Sequence, residues 1–197
     1  MPQKTFCFGL IVASFLALTE ESVSQIPSNG SDFPFLETVR WGMTLREARD
    51  SLVRYNPTLS TRRVRKFAID QSRGANAGEK EGTILSYSDT TLVYSESLFN
   101  ENVEVTLSFT KDLRLRSVSV TANKASDALL NQVLKTLESR HGSPTSYQKK
   151  EERKFFFSFL LEGRHWKTES GLILLSNLFK DGTVAMLMVV YTPTIPQ

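Results

Sequence analysis

The stretch SDALLNQVLKTLESRHGSP, Ser126 to Pro144, decides how the rest of the chain is read. Ser126 is a good helix cap, and Leu129, Leu130, Val133, Leu134 and Leu137 form one broad apolar stripe. Arg140 and His141 suit the negative end of a helix dipole, and Gly142 followed by Pro144 ends the helix. Four strand-like segments follow it: Ser146 to Lys150, Lys154 to Leu161, Gly171 to Leu178 and Val184 to Tyr191, with Gly163 and Asp181-Gly182 read as the turns.

Upstream the same order occurs once before. After a strand-like piece, Phe35 to Trp41, Gly42 lets the chain turn sharply, Thr44 can cap a helix, and Glu47 can reach back to the Thr44 amide. Leu45, Ala48 and Leu52 recur at helical spacing, and Pro57 ends the helix. Residues 58–69 fit either a strand or a short helix, and Asp70 to Gly82 reads as an exposed loop. From Thr83 the period becomes two: Ile84 to Ser88 pairs with Thr91 to Glu96, and Val103, Val105, Leu107 and Phe109 alternate with polar residues. Thr110-Lys111-Asp112 forms a tight hairpin into Leu113 to Thr121, where a shift in phase implies a bulge.

Helix, strands, helix, strands is an α+β arrangement. It predicts two helix-plus-antiparallel-strand units, 35–121 and 122–197, forming one sheet of about eight strands with the helices packed on one face. The repeat rests on element order, because the two halves share little residue identity.

Composition agrees with one packed domain. The 197 residues are 40% hydrophobic, 23% charged and 10% aromatic, too apolar for a disordered chain. Residues 1–24 read as a signal peptide: Lys4 starts it, Phe6 to Leu18 is apolar, and Ser22-Val23-Ser24 has the form of a cleavage site before Gln25. The apolar run is too short for a bilayer core, so the exported chain is expected to carry no transmembrane anchor and to be periplasmic or extracellular. Residues 25–34 read as a flexible tail and 35–197 as a single domain. The only cysteine, Cys7, lies in the leader, which excludes disulfides and thiol chemistry from the exported chain.

Val39-Arg40-Trp41-Gly42-Met43-Thr44-Leu45-Arg46-Glu47-Ala48 resembles the opening hydrophobic-x-Trp-Gly-Met-Ser/Thr-x-x-Glu of a group of bacterial exported domains. Leu137-Glu138-Ser139-Arg140-His141-Gly142-Ser143-Pro144, with Trp166 and a closing strand ending in Tyr191, resembles the other half of the same proteins, with His141 where a Tyr is usual. These domains are similar to the beta-lactamase-inhibitor-like fold and to the SmpA/OmlA outer-membrane-assembly lipoproteins. The resemblance implies a binding or assembly module rather than an enzyme, and it transfers no catalytic residue.

The residues themselves favour the same class. The chain has no Gly-x-Ser-x-Gly, His-Glu-x-x-His, P-loop or Gly-x-Gly-x-x-Gly pattern. His141 is explained by the helix end and His165 has no neighbour at metal-ligand spacing, so no metal or cofactor is expected. Carboxylate catalysis would need Glu96, Glu101, Glu104 and Glu169 to meet in space. Charge is unevenly placed: residues 51–78 are basic and 79–104 acidic. Arg62, Arg63, Arg65, Lys66 and Phe67 are therefore the expected partner-binding residues, for an envelope protein or an anionic surface, unless strand pairing matches these charges within the chain. Nucleic acid is not an expected partner. Phe155 to Leu161, apolar on both faces, suits a central strand; an accessible face on it would be the ligand or partner surface. The reading is a non-enzymatic interaction domain, with a carrier of an apolar small molecule or lipid as the alternative.

Overall fold

A Thr-x-x-Glu box starts the first helix, α1 (Leu45–Tyr55). The Thr44 hydroxyl accepts from the Glu47 amide, and Glu47 Oε2 accepts from the Thr44 amide at 2.8 Å. Gly42, at φ 77°, makes the turn into it. The second helix, α2 (Asp127–His141), is capped by Ser126 and ends at Gly142, whose φ is 73°. The computed structural model describes residues 32–63, 84–154 and 157–194.

The strands are β1 (Ser60–Arg63), β2 (Ile84–Tyr87), β3 (Thr91–Leu98), β4 (Glu101–Phe109), β5 (Leu115–Asn123), β6 (Ser146–Lys154), β7 (Phe157–Lys167), β8 (Gly171–Lys180) and β9 (Thr183–Pro193). They form one sheet in the order β1-β2-β3-β4-β5-β9-β8-β7-β6. Every neighbouring pair is antiparallel except β1 with β2, which is parallel. The sheet therefore has nine strands rather than about eight, the extra one being β1. It lies in the segment that pattern alone left between strand and helix.

The α+β class and the antiparallel sheet agree with the sequence pattern. From the central β5–β9 pair the strand order runs β4, β3, β2 on one side and β8, β7, β6 on the other. Both sides carry a bulge at the same place: Ser108 to Phe109 against Ser117 to Leu115, and Leu178 to Phe179 against Met186 to Val184. These two bulges fix which positions of one half correspond to which of the other.

One face of the sheet is covered by both helices. Val103, Val105, Leu107, Val118, Val120, Ile173, Leu175, Leu187, Val189 and Tyr191 point into it and are buried with Ala48 and Leu52 of α1 and Leu129, Val133 and Leu137 of α2. Each fully buried leucine contributes about 2 kcal/mol.

Three boundaries differ from the sequence reading. Pro34–Thr38 is a turn of 3-10 helix rather than a strand: Pro34 occupies its first turn, and the tight winding lets the consecutive residues Phe35 and Leu36 both bury. The polar tail stops short of Pro34, because Asp32 and Phe33 are already in the core. Gly163 is no turn. It lies inside β7 opposite Gln148 and Ser176, and β6 continues through the charged run to Lys154. Alternating charge on an exposed edge strand looks like a loop by composition but is compatible with pairing on one side.

Candidate functional site

The two buried ionisable groups nearest to catalytic chemistry form a clamp. Asp32, whose side chain is 3% exposed, receives the His141 Nε2 hydrogen at 3.0 and 3.1 Å and the Tyr191 hydroxyl at 3.0 Å, with Arg140 Nε 3.7 Å away. The carboxylate satisfies a histidine and a phenol that burial would otherwise leave unpaired. Burial, and then the charge of Asp32, hold the Tyr191 phenol well above the usual 10.0, so it stays a donor. The clamp ties the start of the domain to the end of α2 and the end of β9. It opens onto no cleft, since Tyr191 is 1% exposed.

The four glutamates do not meet. Glu96 sits opposite Val103 on the helix side, whereas Glu104, one position along β4, points to the other face. Glu101 receives the amide and hydroxyl of Ser126 and so supports the start of α2. Glu169 is exposed in the turn between β7 and β8. His165 lies in β7 with Nδ1 2.8 Å from the Ser146 hydroxyl. Among the described residues no group of three or more His, Cys, Asp or Glu is placed to hold a metal ion, and no helix is long and apolar enough to cross a membrane.

Of the expected binding residues, Arg62 and Arg63 lie on β1, at the edge of the sheet. Arg65, Lys66 and Phe67 lie outside the described residues, as do Phe155 and Phe156.

The feature that stands out is the sheet face that carries no helix among the described residues. On the β6–β9 half it presents Phe159 and Leu161 from β7, Leu172, Leu174 and Leu178 from β8, and Met186, Met188 and Val190 from β9. Leu161 and Leu172 are each 43% exposed and the others half-buried. Gly163 and Ser176, directly opposite each other, leave a shallow trough between the rows Val190–Leu174 and Met186–Leu178–Leu161. A side chain at Gly163 would meet nothing within 4 Å. At the β6 end, Lys150, Glu152, Phe159, Leu161 and Leu178 line a concavity of about 280 Å³.

The position of β7 explains why sequence reading reached only part of this face. Phe155 to Leu161, apolar on both faces, suits a central strand, and its described part lies in β7, which is paired on both sides by β6 and β8; its helix-free side is nevertheless accessible. The remaining apolar side chains belong to near-continuous apolar runs along β8 and β9, the pattern of strands buried on both faces.

On the helix side of the same half, three polar residues lie where apolar ones would be expected. Glu162 accepts from the Tyr147 hydroxyl at 2.9 Å and pairs with Arg164 Nη2 at 3.2 Å, while the Arg164 guanidinium lies 5.0 Å from the Tyr147 ring centre. Next to Glu162, Asn177 is fully buried with neither amide atom hydrogen-bonded. Compared with protein-family models, curated proteins and solved structures, the chain has no match, so its function is read from its own geometry.

Proposed function

We propose that the protein is a non-enzymatic exported interaction domain, built from two repeated helix-plus-strand units, whose binding surface is the helix-free face of β6–β9. The single observation carrying this is the concentration of Leu161, Leu172, Leu174, Leu178, Met186, Met188 and Val190 on one accessible side of the sheet. A water-facing sheet surface is ordinarily polar, and contiguous exposed apolar patches mark protein or ligand contacts. The leader-like residues 1–24 and the absence of cysteine beyond them support export to the periplasm or outside the cell. The partner on this reading is the apolar surface of another envelope protein, with the basic stretch around Arg62 and Arg63 at the far edge as a secondary, electrostatic contact.

Site-specific photocrosslinking in the source cells tests this. A crosslinker at Leu174 is expected to give a discrete adduct, and one at Glu104, on the same face of the other half, to give none. No adduct at Leu174, or equal adducts at both, overturns the assignment. The concavity beside Phe159 and Leu161 favours a second reading, a carrier of an apolar small molecule. Native mass spectrometry showing a co-purifying lipid that leaves on denaturation would select it.

A further inference from the structure

The sheet ends differently at its two edges. β1 is four residues long, whereas β6 has nine, pairs among the described residues only with β7, and is exposed from Ser146 to Glu152. A long open edge is a template for another strand. The sequence along it, Tyr147-Gln148-Lys149-Lys150-Glu151-Glu152-Arg153, narrows the choice of strand, because two copies of a chain pair antiparallel about a two-fold axis with the axial residue facing itself.

With the axis at Lys150, each Lys149 faces a Glu151 of the second copy on the helix side, and each Gln148 faces a Glu152 on the other. The two axial Lys150 ammonium groups each have Glu152 at 2.6 Å within their own chain and a second Glu152 diagonally across. Moving the axis to Glu151 also makes two opposite-charge pairs, Lys150 with Glu152, but sets Glu151 against Glu151 and each Lys149 against an Arg153, three like-charge pairs. Moving it to Lys149 removes every opposite-charge pair. Of the three registers only the one centred on Lys150 has more opposite-charge than like-charge pairs, which is how an exposed strand gains a specific partner without becoming generally adhesive. Lys149 can turn outward readily: it is half-exposed and its contact with Glu162, at 3.9 Å, is a long one.

We infer that β6 is a homodimerisation edge, two copies of the chain joining β6 to β6 antiparallel with the axis at Lys150. Such a dimer brings the two apolar areas and the two concavities beside Lys150 and Glu152 together across the axis on one continuous face. The pairing does not depend on what that face binds.

Sedimentation equilibrium on the processed protein, at about 50 mM salt, is the test. The wild type is expected to sediment as a reversible dimer that weakens at about 500 mM salt, where charges are screened within a few ångströms. K149E sets Glu against Glu and E151K sets Lys against Lys, and each alone is expected to weaken dimerisation at least about tenfold. An equimolar mixture of the two variants restores opposite charges at every such pair and is expected to recover the dimer, as is the double variant K149E/E151K. A monomeric wild type at all concentrations, single variants that dimerise normally, or a mixture that stays monomeric each overturns the inference. So does a dimer lost in L172S but kept in K149E, which would place the contact on the apolar face.

Discussion

The two halves of the sheet carry opposite polarity at matching positions. Counting from the shared bulges, the helix-free face has Asn102, Glu104, Ser108, Ser117, Ser119 and Thr121 in the first half where the second has Leu172, Leu174, Leu178, Met186, Met188 and Val190. On the helix side the exchange runs the other way: Leu92, Tyr94 and Leu107 correspond to Glu162, Arg164 and Asn177. From β2 to β5 and from β9 to β6 the pairing is antiparallel throughout and the bulges match, so the backbone of these strands does not require the difference. The first half follows the ordinary rule of apolar inside and polar outside. The second departs from it on both sides, and such local departures are where binding is found.

The largest test of that contrast is Leu107→Asn. Leu107 is 1% exposed, and an amide there loses apolar burial and leaves polar atoms unpaired, so the protein should lose about 4 kcal/mol in urea unfolding. If the first half tolerates this asparagine as the second tolerates Asn177, the interiors are not different in kind. Asp32→Ala removes the clamp found beside α2. It strips partners from His141 and the buried Tyr191 hydroxyl, and should cost about 3 kcal/mol by the same measurement. The converse change, Asn177→Leu, should raise stability by about 1 kcal/mol, because neither amide atom has a partner to lose. A decrease would show that Asn177 is satisfied by something bound in solution.

Gly163 corresponds to Val93 in the first half. Gly163→Val meets open space, so the melting temperature should move by no more than a few degrees, while the filled trough lowers binding of an apolar fluorescent probe. Unchanged probe binding would remove the trough from the surface. The smallest effect belongs to α1. The Thr44 backbone amide, followed by its hydroxyl, holds the Glu47 carboxyl below its ordinary 4.5. A lowered folded pKa means that this contribution is full above 4.5 and is lost as pH falls through the folded value. Glu47→Gln keeps an acceptor without the charge and should flatten that acid-side loss; an unchanged slope would assign it to other carboxylates.

Much of the fold was legible because its signals are local. Thr44 with Glu47, Ser126 with Gly142, and the alternation from Val103 to Phe109 each contain a complete instruction within a few residues. Asp181-Gly182, both at positive φ, forms the turn that the sequence places there. What was not legible depends on distant partners. Asp32 reads as part of a tail until His141 and Tyr191 are brought to it, and Gly163 reads as a turn until β6 and β8 flank it. The apolar helix-free face was only half visible. Its apolar alternation is present in the sequence, but whether helices cover one side or both is decided by where α2 packs.

The central β5–β9 ladder joins Val118 to Tyr191, residues about seventy apart in the chain, whereas every other ladder among the described residues joins strands consecutive in the chain. Such non-local pairing forms late, because the intervening loop entropy is lost before the contact stabilises anything. Each half can therefore make its hairpins early while β5 and β9 remain two unclosed edges. The rate of folding is set by their meeting, and substitutions at Val120 or Val189 should slow refolding more than equally destabilising ones at the outer strands.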